Sequence, residues 1–127
     1  LQIYNDTYLN AIGYDSWNAT QYAINATTEG LPMFPFSQAL GNFNRPTKEF
    51  ERLIRQGMVV MDRNPVVRWC FNNVELKIDW NENTKPTKSQ PDKKIDPIIA
   101  MIQALGTYLS KQNHSDGEVL VVSPKLK

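Results

Sequence analysis

The stretch from Lys94 to Ser110 constrains this chain most. Ile95, Ile98, Ile99, Ile102, Leu105 and Leu109 recur at helical spacing, so a long helix carries an apolar side that must be covered. Pro97 falls in its first turn, where a missing N–H breaks no helical bond. Ala100, Ala104 and Gly106 permit close packing against a sheet.

The remaining sequence supplies short extended runs between further helices. Ala11–Asp15 reads as a strand. Asn18–Glu29 reads as a helix, with Ser16 or Asn18 as its cap and Gly30 as its stop. Leu31–Phe36 is a second extended run, and Pro32 and Pro35 make it short or near an edge. Gly41–Asn44 reads as a polar loop. A helix then opens at Pro46, carries Phe50, Leu53 and Ile54 on one side, and ends at Gly57. Met58–Met61 reads as a short strand. Pro65–Asn73 is expected to be a helix capped by Asn64, with Val66, Val67, Trp69 and Cys70 available for burial. Val74–Trp80 alternates with period two, as a half-buried strand does. Asn81–Lys94 is a long polar connection with Pro86 and Pro91. After Ser110, Gln112–Gly117 reads as a loop and Glu118–Ser123 as an edge strand or pairing tail; Leu1–Asn10 has the weak signature of a helix end. The alternation predicts an α/β domain with a short sheet flanked by helices. Its strands are few for that class, so a further part of the sheet is expected from upstream or from a partner.

A chain of 127 residues, 41% hydrophobic, suits one modest core. The net charge is +1, so any attraction to nucleic acid must come from a local patch. Cys70 lies in an apolar stretch and reads as a small buried residue. One Cys and one His argue against a structural zinc site within a single chain. No apolar run reaches membrane-spanning length.

Two acidic residues stand out by position. Asp15 closes the first predicted strand, and Asp96 opens the long helix. If those elements are neighbours, their carboxylates suit a hard divalent cation, Mg²⁺ or Mn²⁺, rather than zinc. The second reading of Asp96 is an ordinary helix-start acid held by free amides. Lys85, Lys88, Lys93 and Lys94 concentrate positive charge before it. They read either as a solvated loop or as a loop that lies against phosphate.

Four motifs, in order, resemble the nuclease domain of the large terminase subunit of tailed bacteriophages: Tyr14-Asp15-Ser16-Trp17-Asn18-Ala19-Thr20-Gln21; Arg45-Pro46-Thr47-Lys48-Glu49-Phe50-Glu51-Arg52-Leu53; Asn64-Pro65-Val66-Val67-Arg68-Trp69 with Asn72-Asn73-Val74; and Lys85-Pro86 and Lys88 leading to Lys94-Ile95-Asp96. The resemblance runs from about Ile12 to Leu109. It implies a ribonuclease H-like fold, here an incomplete C-terminal portion over residues 1–111, with 112–127 as a tail or small edge strand. The family's hairpin region, its central-strand Asp and its ATPase with a Gly-rich phosphate loop have no match in this sequence.

By this resemblance Asp15 and Asp96 are catalytic metal ligands for Mg²⁺ or Mn²⁺, in what is a two-metal site in the intact domain. Lys85, Lys88, Lys93, Lys94, Arg45 and Lys48 become DNA-binding candidates. For Lys48, a salt-bridged helix surface is the competing reading. Asp79, near the strand end before Trp80, is a candidate to approach the site and support its metal ligands; Asp62 and Asp92 are poor substitutes for the missing acid. The implied function is part of a metal-dependent double-stranded DNA endonuclease that cuts concatemeric phage DNA during packaging, phage or prophage encoded, in the host cytoplasm. The implied partners are double-stranded DNA, the parent's packaging ATPase domain, the small terminase subunit and portal, with no membrane. The fragment alone is expected to be inactive and to self-associate. The alternatives are a non-catalytic DNA-binding or assembly module from a degraded prophage, and a resolvase or integrase of the same fold.

Overall fold

The computed structural model describes residues 9–61 and 63–114. It divides into two compact units, Leu1–Ser37 with Thr107–Lys127, and Gln38–Gly106. The α/β expectation holds, as two separate two-stranded sheets, one parallel and one antiparallel, instead of a single mixed sheet.

In the first unit, β1 (Ile12–Tyr14) and β2 (Met33–Pro35) pair in parallel, Gly13 opposite Phe34. The crossover is α1 (Thr20–Thr28), which buries the small side chains Ala23 and Ala26. Its start differs from expectation: neither Ser16 nor Asn18 caps it, and the N-cap position is Ala19 without a side-chain bond. The Ser16 carbonyl instead accepts the Thr20 hydroxyl at 2.8 Å. Gly30, at φ +89°, ends the helix as expected. Leu31 N donates to Ala26 O at 3.0 Å and Gly30 N to Thr27 O at 2.9 Å, the paired bonds of a Schellman end. Beside this sheet lies the last part of α4 (Asp96–His114), whose Thr107 belongs to the same unit. A methyl group built on Gly13 would sit 2.2 Å from Thr107 Oγ1. Only a residue without a side chain lets strand and helix come so near.

The second unit is organised by α2 (Leu40–Arg55), which buries Phe43, Pro46, Thr47 and Phe50 at i, i+3, i+4 and i+7. This corrects the expected Gly41–Asn44 loop and the placement of Pro46 in a first turn. Phe43 has no exposed surface, and its burial, worth about 1.5–3 kcal/mol, favours continuing the helix upstream. That gain outweighs the poor helix propensity of Gly41 and the missing N–H of Pro46. A second Schellman end closes α2 at Gly57, φ +67°, with Met58 N on Leu53 O at 2.9 Å. Met58–Met61 then forms no strand; its apolar residues find no pairing edge among the described residues.

Helix α3 (Pro65–Asn72) starts as expected: Asn64 Oδ1 accepts the Val66 amide at 2.9 Å. Of the four residues offered for burial only Cys70 is buried, while Val66 and Trp69 are exposed and Val67 is half-buried. Strand β3 (Val74–Ile78) pairs antiparallel with β4 (Thr84–Lys88), Leu76 opposite Pro86. The expected loop over Asn81–Lys94 is therefore half a hairpin. Distant side chains hold β4: Asn44 Oδ1 accepts the Thr84 amide at 2.9 Å, and Thr84 and Pro86 are buried. The expected half-burial of the β3 apolar face fails at Leu76 and Ile78, both exposed. Ile95, just before α4, and Ile98 and Ile102 within it are buried as the spacing predicts. The helix continues past Ser110 to His114, where the loop from Gln112 was expected. The Glu118–Ser123 reading, and all but the end of Leu1–Asn10, lie outside the described residues. No helix among the described residues is long and apolar enough to cross a membrane.

Replacing Gly13 by Ala should cost the fold about 1–3 kcal/mol through overpacking. Adding Thr107→Ala should recover part of that loss, because the Gly13 methyl would then face only the residue 107 Cβ at 3.3 Å. Urea midpoints of the four proteins in this cycle measure the coupling. An unchanged midpoint for Gly13→Ala contradicts the close approach.

Candidate functional site

Asp15 follows the carboxyl end of β1 directly. In open sheets with parallel strands, that end is where ligands bind. A two-residue turn sets its rotamer. Asp15 Oδ1 accepts the Trp17 amide at 3.1 Å, and Oδ2 accepts Asn18 Nδ2 at 3.2 Å. Its backbone carbonyl takes the Asn18 and Ala19 amides at 3.3 and 3.1 Å. Each carboxylate oxygen thus spends one lone pair locally and keeps another for a cation.

Asp96 is the first residue of α4 and is exposed. The first-turn amides Ile98 N and Ile99 N go to the Ile95 carbonyl, at 2.9 and 3.1 Å. No described residue hydrogen-bonds or ion-pairs with the Asp96 carboxylate. The helix-start reading is not realised through a side-chain cap. The acid instead stands uncommitted at the positive end of the helix dipole. Its approach segment is held from a distance: Asn73 Nδ2 donates to Lys94 O at 3.1 Å. Asn73 falls within the third motif, yet no local pattern marks its role, because its tie reaches across 21 residues.

Asp15 stands in the first unit and Asp96 in the second. Among the described residues, no three His, Cys, Asp or Glu side chains group as a metal site. Both carboxylates fit a hard, oxygen-ligated divalent cation by their chemistry. They are fewer than the three or more acids that usually hold a metal pair.

The basic residues, all in the second unit, divide by their surroundings. Lys85 Nζ donates to the Gln38 carbonyl at 2.7 Å and lies 5.0 Å from the centre of the Phe43 ring, so its ammonium fastens β4 to the start of α2. Lys88, at the end of β4, and Lys94 are exposed; Lys93 is half-buried. Arg45 and Lys48 are exposed on α2. The α2 ion pairs, Glu49–Arg52 and Glu51–Arg55, do not involve Lys48.

Asp79 anchors the hairpin turn. Its Oδ1 accepts the Asn81 and Asn83 amides at 2.9 and 2.8 Å, and its Oδ2 accepts Asn83 Nδ2 at 3.0 Å. The Asn83 side chain is the largest influence holding its carboxyl below the usual range. The Asn83 and Asn81 backbone amides and the Lys48 charge add to it, against a smaller opposing effect of burial. The turn also needs Glu82 at φ +61°, a conformation costly for a residue with a side chain.

The family model for Terminase large subunit, endonuclease domain, matches residues 3–112. Protein YmfN of Escherichia coli is 36% identical over 94 residues, covering 72% of this chain and 21% of that protein. The Terminase, large subunit, of Enterobacteria phage HK97 is 26% identical over 119 residues, covering 92% of this chain and 24% of that protein. The crystal structure of the HK97 bacteriophage large terminase matches with TM-score 0.73 at 28% identity, over 83% of this chain and 22% of that one. The chain therefore spans less than a quarter of the length of these relatives.

Because the Asp79 pKa is lowered by folding, the turn's contribution is present above the ordinary value of about 3.9. It is lost as pH falls through the lowered folded value. Asp79→Asn should be less stable than the parent at neutral pH and lose less stability on acidification. Urea midpoints at about pH 7 and pH 3 measure this; equal acid losses in the two proteins contradict it.

Proposed function

This chain belongs to the terminase large-subunit endonuclease family, and on that premise we propose that it is the metal-ligating, DNA-contacting part of a phage DNA-packaging endonuclease acting in the bacterial host. The observation that carries the reading is the pair of carboxylates at motif positions: Asp15 at a parallel strand's carboxyl end, and Asp96 uncommitted at a helix start.

Hydrolysis of a phosphodiester builds negative charge on the phosphate and on the leaving oxygen. Bound Mg²⁺ or Mn²⁺ would supply an activated nucleophile there and stabilise that charge. Asp15 and Asp96 are the residues that would hold divalent metal in this chain, with further acid supplied by the rest of the parent protein. The turn that fixes the Asp15 rotamer and the Asn73 tie before Asp96 would keep each acid in one orientation. Lys88, Lys93, Lys94, Arg45 and Lys48 would meet phosphates of double-stranded DNA, giving affinity and register without reading bases. Lys85 serves the same surface indirectly, by holding the strand that carries Lys88. The parent's ATPase domain, the small subunit and the portal would be its partners, and concatemeric DNA its substrate.

One further expectation belongs to this reading. The 127-residue chain by itself should nick plasmid DNA slowly or not at all in Mn²⁺. It should still bind DNA with an affinity that falls steeply with salt. The full-length protein should cut in Mn²⁺ or Mg²⁺, and Asp15→Asn or Asp96→Asn should each reduce the rate by about a hundredfold or more. Gel assays of plasmid cleavage measure both. Undiminished cutting by the two variants would remove the assignment, and salt-sensitive binding without cutting by the full-length protein would favour a non-catalytic DNA-binding module.

A further inference from the structure

Two adjoining cavities in the second unit play no part in the proposed chemistry. The larger, about 530 Å³, opens between the end of α2 and α3. The smaller, about 270 Å³, continues from it between α2, β3 and the first turns of α4. Ile54 and Phe71 border both, so the two form one groove with an apolar floor. Beyond the smaller cavity the exposed side chains of Leu76 and Ile78 prolong the apolar surface along β3. The combined space lies within the range of about 300–1,000 Å³ that holds small ligands or anchoring side chains.

Charge distinguishes the two ends. Arg63 and Arg68 line the larger cavity, and among the described residues no acidic side chain lines it with them. Neither makes an ion pair or hydrogen bond with any described residue. In the smaller cavity Glu51 and Arg55 neutralise one another at 2.6 Å. Among its described lining residues the groove thus has an apolar floor and two arginines at one end.

The third observation is Thr47. It is 2% exposed, borders the smaller cavity, and its hydroxyl has no hydrogen-bond partner among the described residues. The α1 threonines Thr20, Thr27 and Thr28 each donate to the carbonyl four residues earlier, and Thr47 does not use that option. A buried hydroxyl left open costs free energy unless something enters to meet it.

We infer that this groove is a docking site for an acidic, apolar peptide segment of a partner protein. Its carboxylate would be held by Arg63 and Arg68, its apolar side chains would lie over Ile54 and Phe71, and a backbone group would meet the Thr47 hydroxyl. A duplex backbone would satisfy the two guanidinium groups but set a polyanion against the apolar floor. A peptide with a carboxylate beside leucine-like side chains satisfies both, and bidentate pairing favours arginine at that end.

The test is a fluorescence-anisotropy titration of the whole chain with a labelled peptide of roughly twelve residues that alternates Leu and Asp. A Lys-for-Asp peptide and a short duplex DNA serve as controls. The expected result is micromolar binding of the acidic peptide only, with amide NMR shifts confined to the groove. Arg63→Glu/Arg68→Glu, both surface changes, should keep the circular dichroism spectrum and weaken the peptide by about tenfold or more. Thr47→Val should raise the melting temperature of the free chain and yet weaken the peptide a few-fold. No binding of the acidic peptide, equal binding of the lysine peptide, or an unweakened arginine double variant would overturn the inference. A duplex that competes for the groove and is lost in the double variant would overturn it in favour of a nucleic-acid contact.

Discussion

Gly13 has no side chain where Thr107 Oγ1 occupies the space a methyl group would need, 2.2 Å from the built position. Much of the first unit depends on that vacancy. It lets β1 lie against the last part of α4, and Lys111 Nζ, one helical turn further on, secures the same approach by donating to Asn10 O at 2.8 Å. With the strand seated, its carboxyl end is fixed, and the next residue is Asp15. The acid's position therefore descends from a packing constraint two residues earlier, and its rotamer from the turn that follows.

The second unit is tied in a different way. Its hairpin is not sealed by a full apolar face, because Leu76 and Ile78 are open to solvent. Side chains reaching backbone groups far along the chain do the work instead. Asn44 meets the Thr84 amide, Lys85 the Gln38 carbonyl, and Asn73 the Lys94 carbonyl. Each bond is individually modest, about 0.5–1.5 kcal/mol net. Together they fix β4 and the segment before Asp96 where local propensity gives little direction. The same economy leaves a groove with an unmet Thr47 hydroxyl, a feature a closed core would not retain.

What could be read from the sequence follows from this contrast. Elements set by local rules were legible: α3 with its Asn64 cap, the stops at Gly30 and Gly57, the isoleucine face of α4, and β1 ahead of Asp15. Elements set by distant partners were not. Strand β4 reads as a loop because Pro86 and its lysines are poor strand formers, and pairing with β3 together with the ties to Asn44 and Gln38 makes it a strand. The upstream turn of α2 reads as a loop because of Gly41 and Asn42, and only the burial of Phe43 makes it helical. Met58–Met61 has strand composition but no edge to pair with among the described residues. For the site, motif resemblance singled out Asp15 and Asp96, yet it could not separate Lys85, which fastens the fold, from Lys94, which faces water. Nor could it foresee that Asp79 is an acid spent on its own turn.

Three conspicuous aspartates thus divide between two duties: Asp79 holds its own turn, and metal ligation is the role proposed for Asp15 and Asp96. Paramagnetic broadening of amide NMR signals by trace Mn²⁺ tests that division most directly, because it reports where the ion resides without requiring turnover. Broadening is expected at the amides around Asp15 and around Asp96, diminished at each by the corresponding Asp→Asn change, with the Asp79 turn little affected. Broadening centred on the Asp79 turn, or undiminished in both variants, would contradict it.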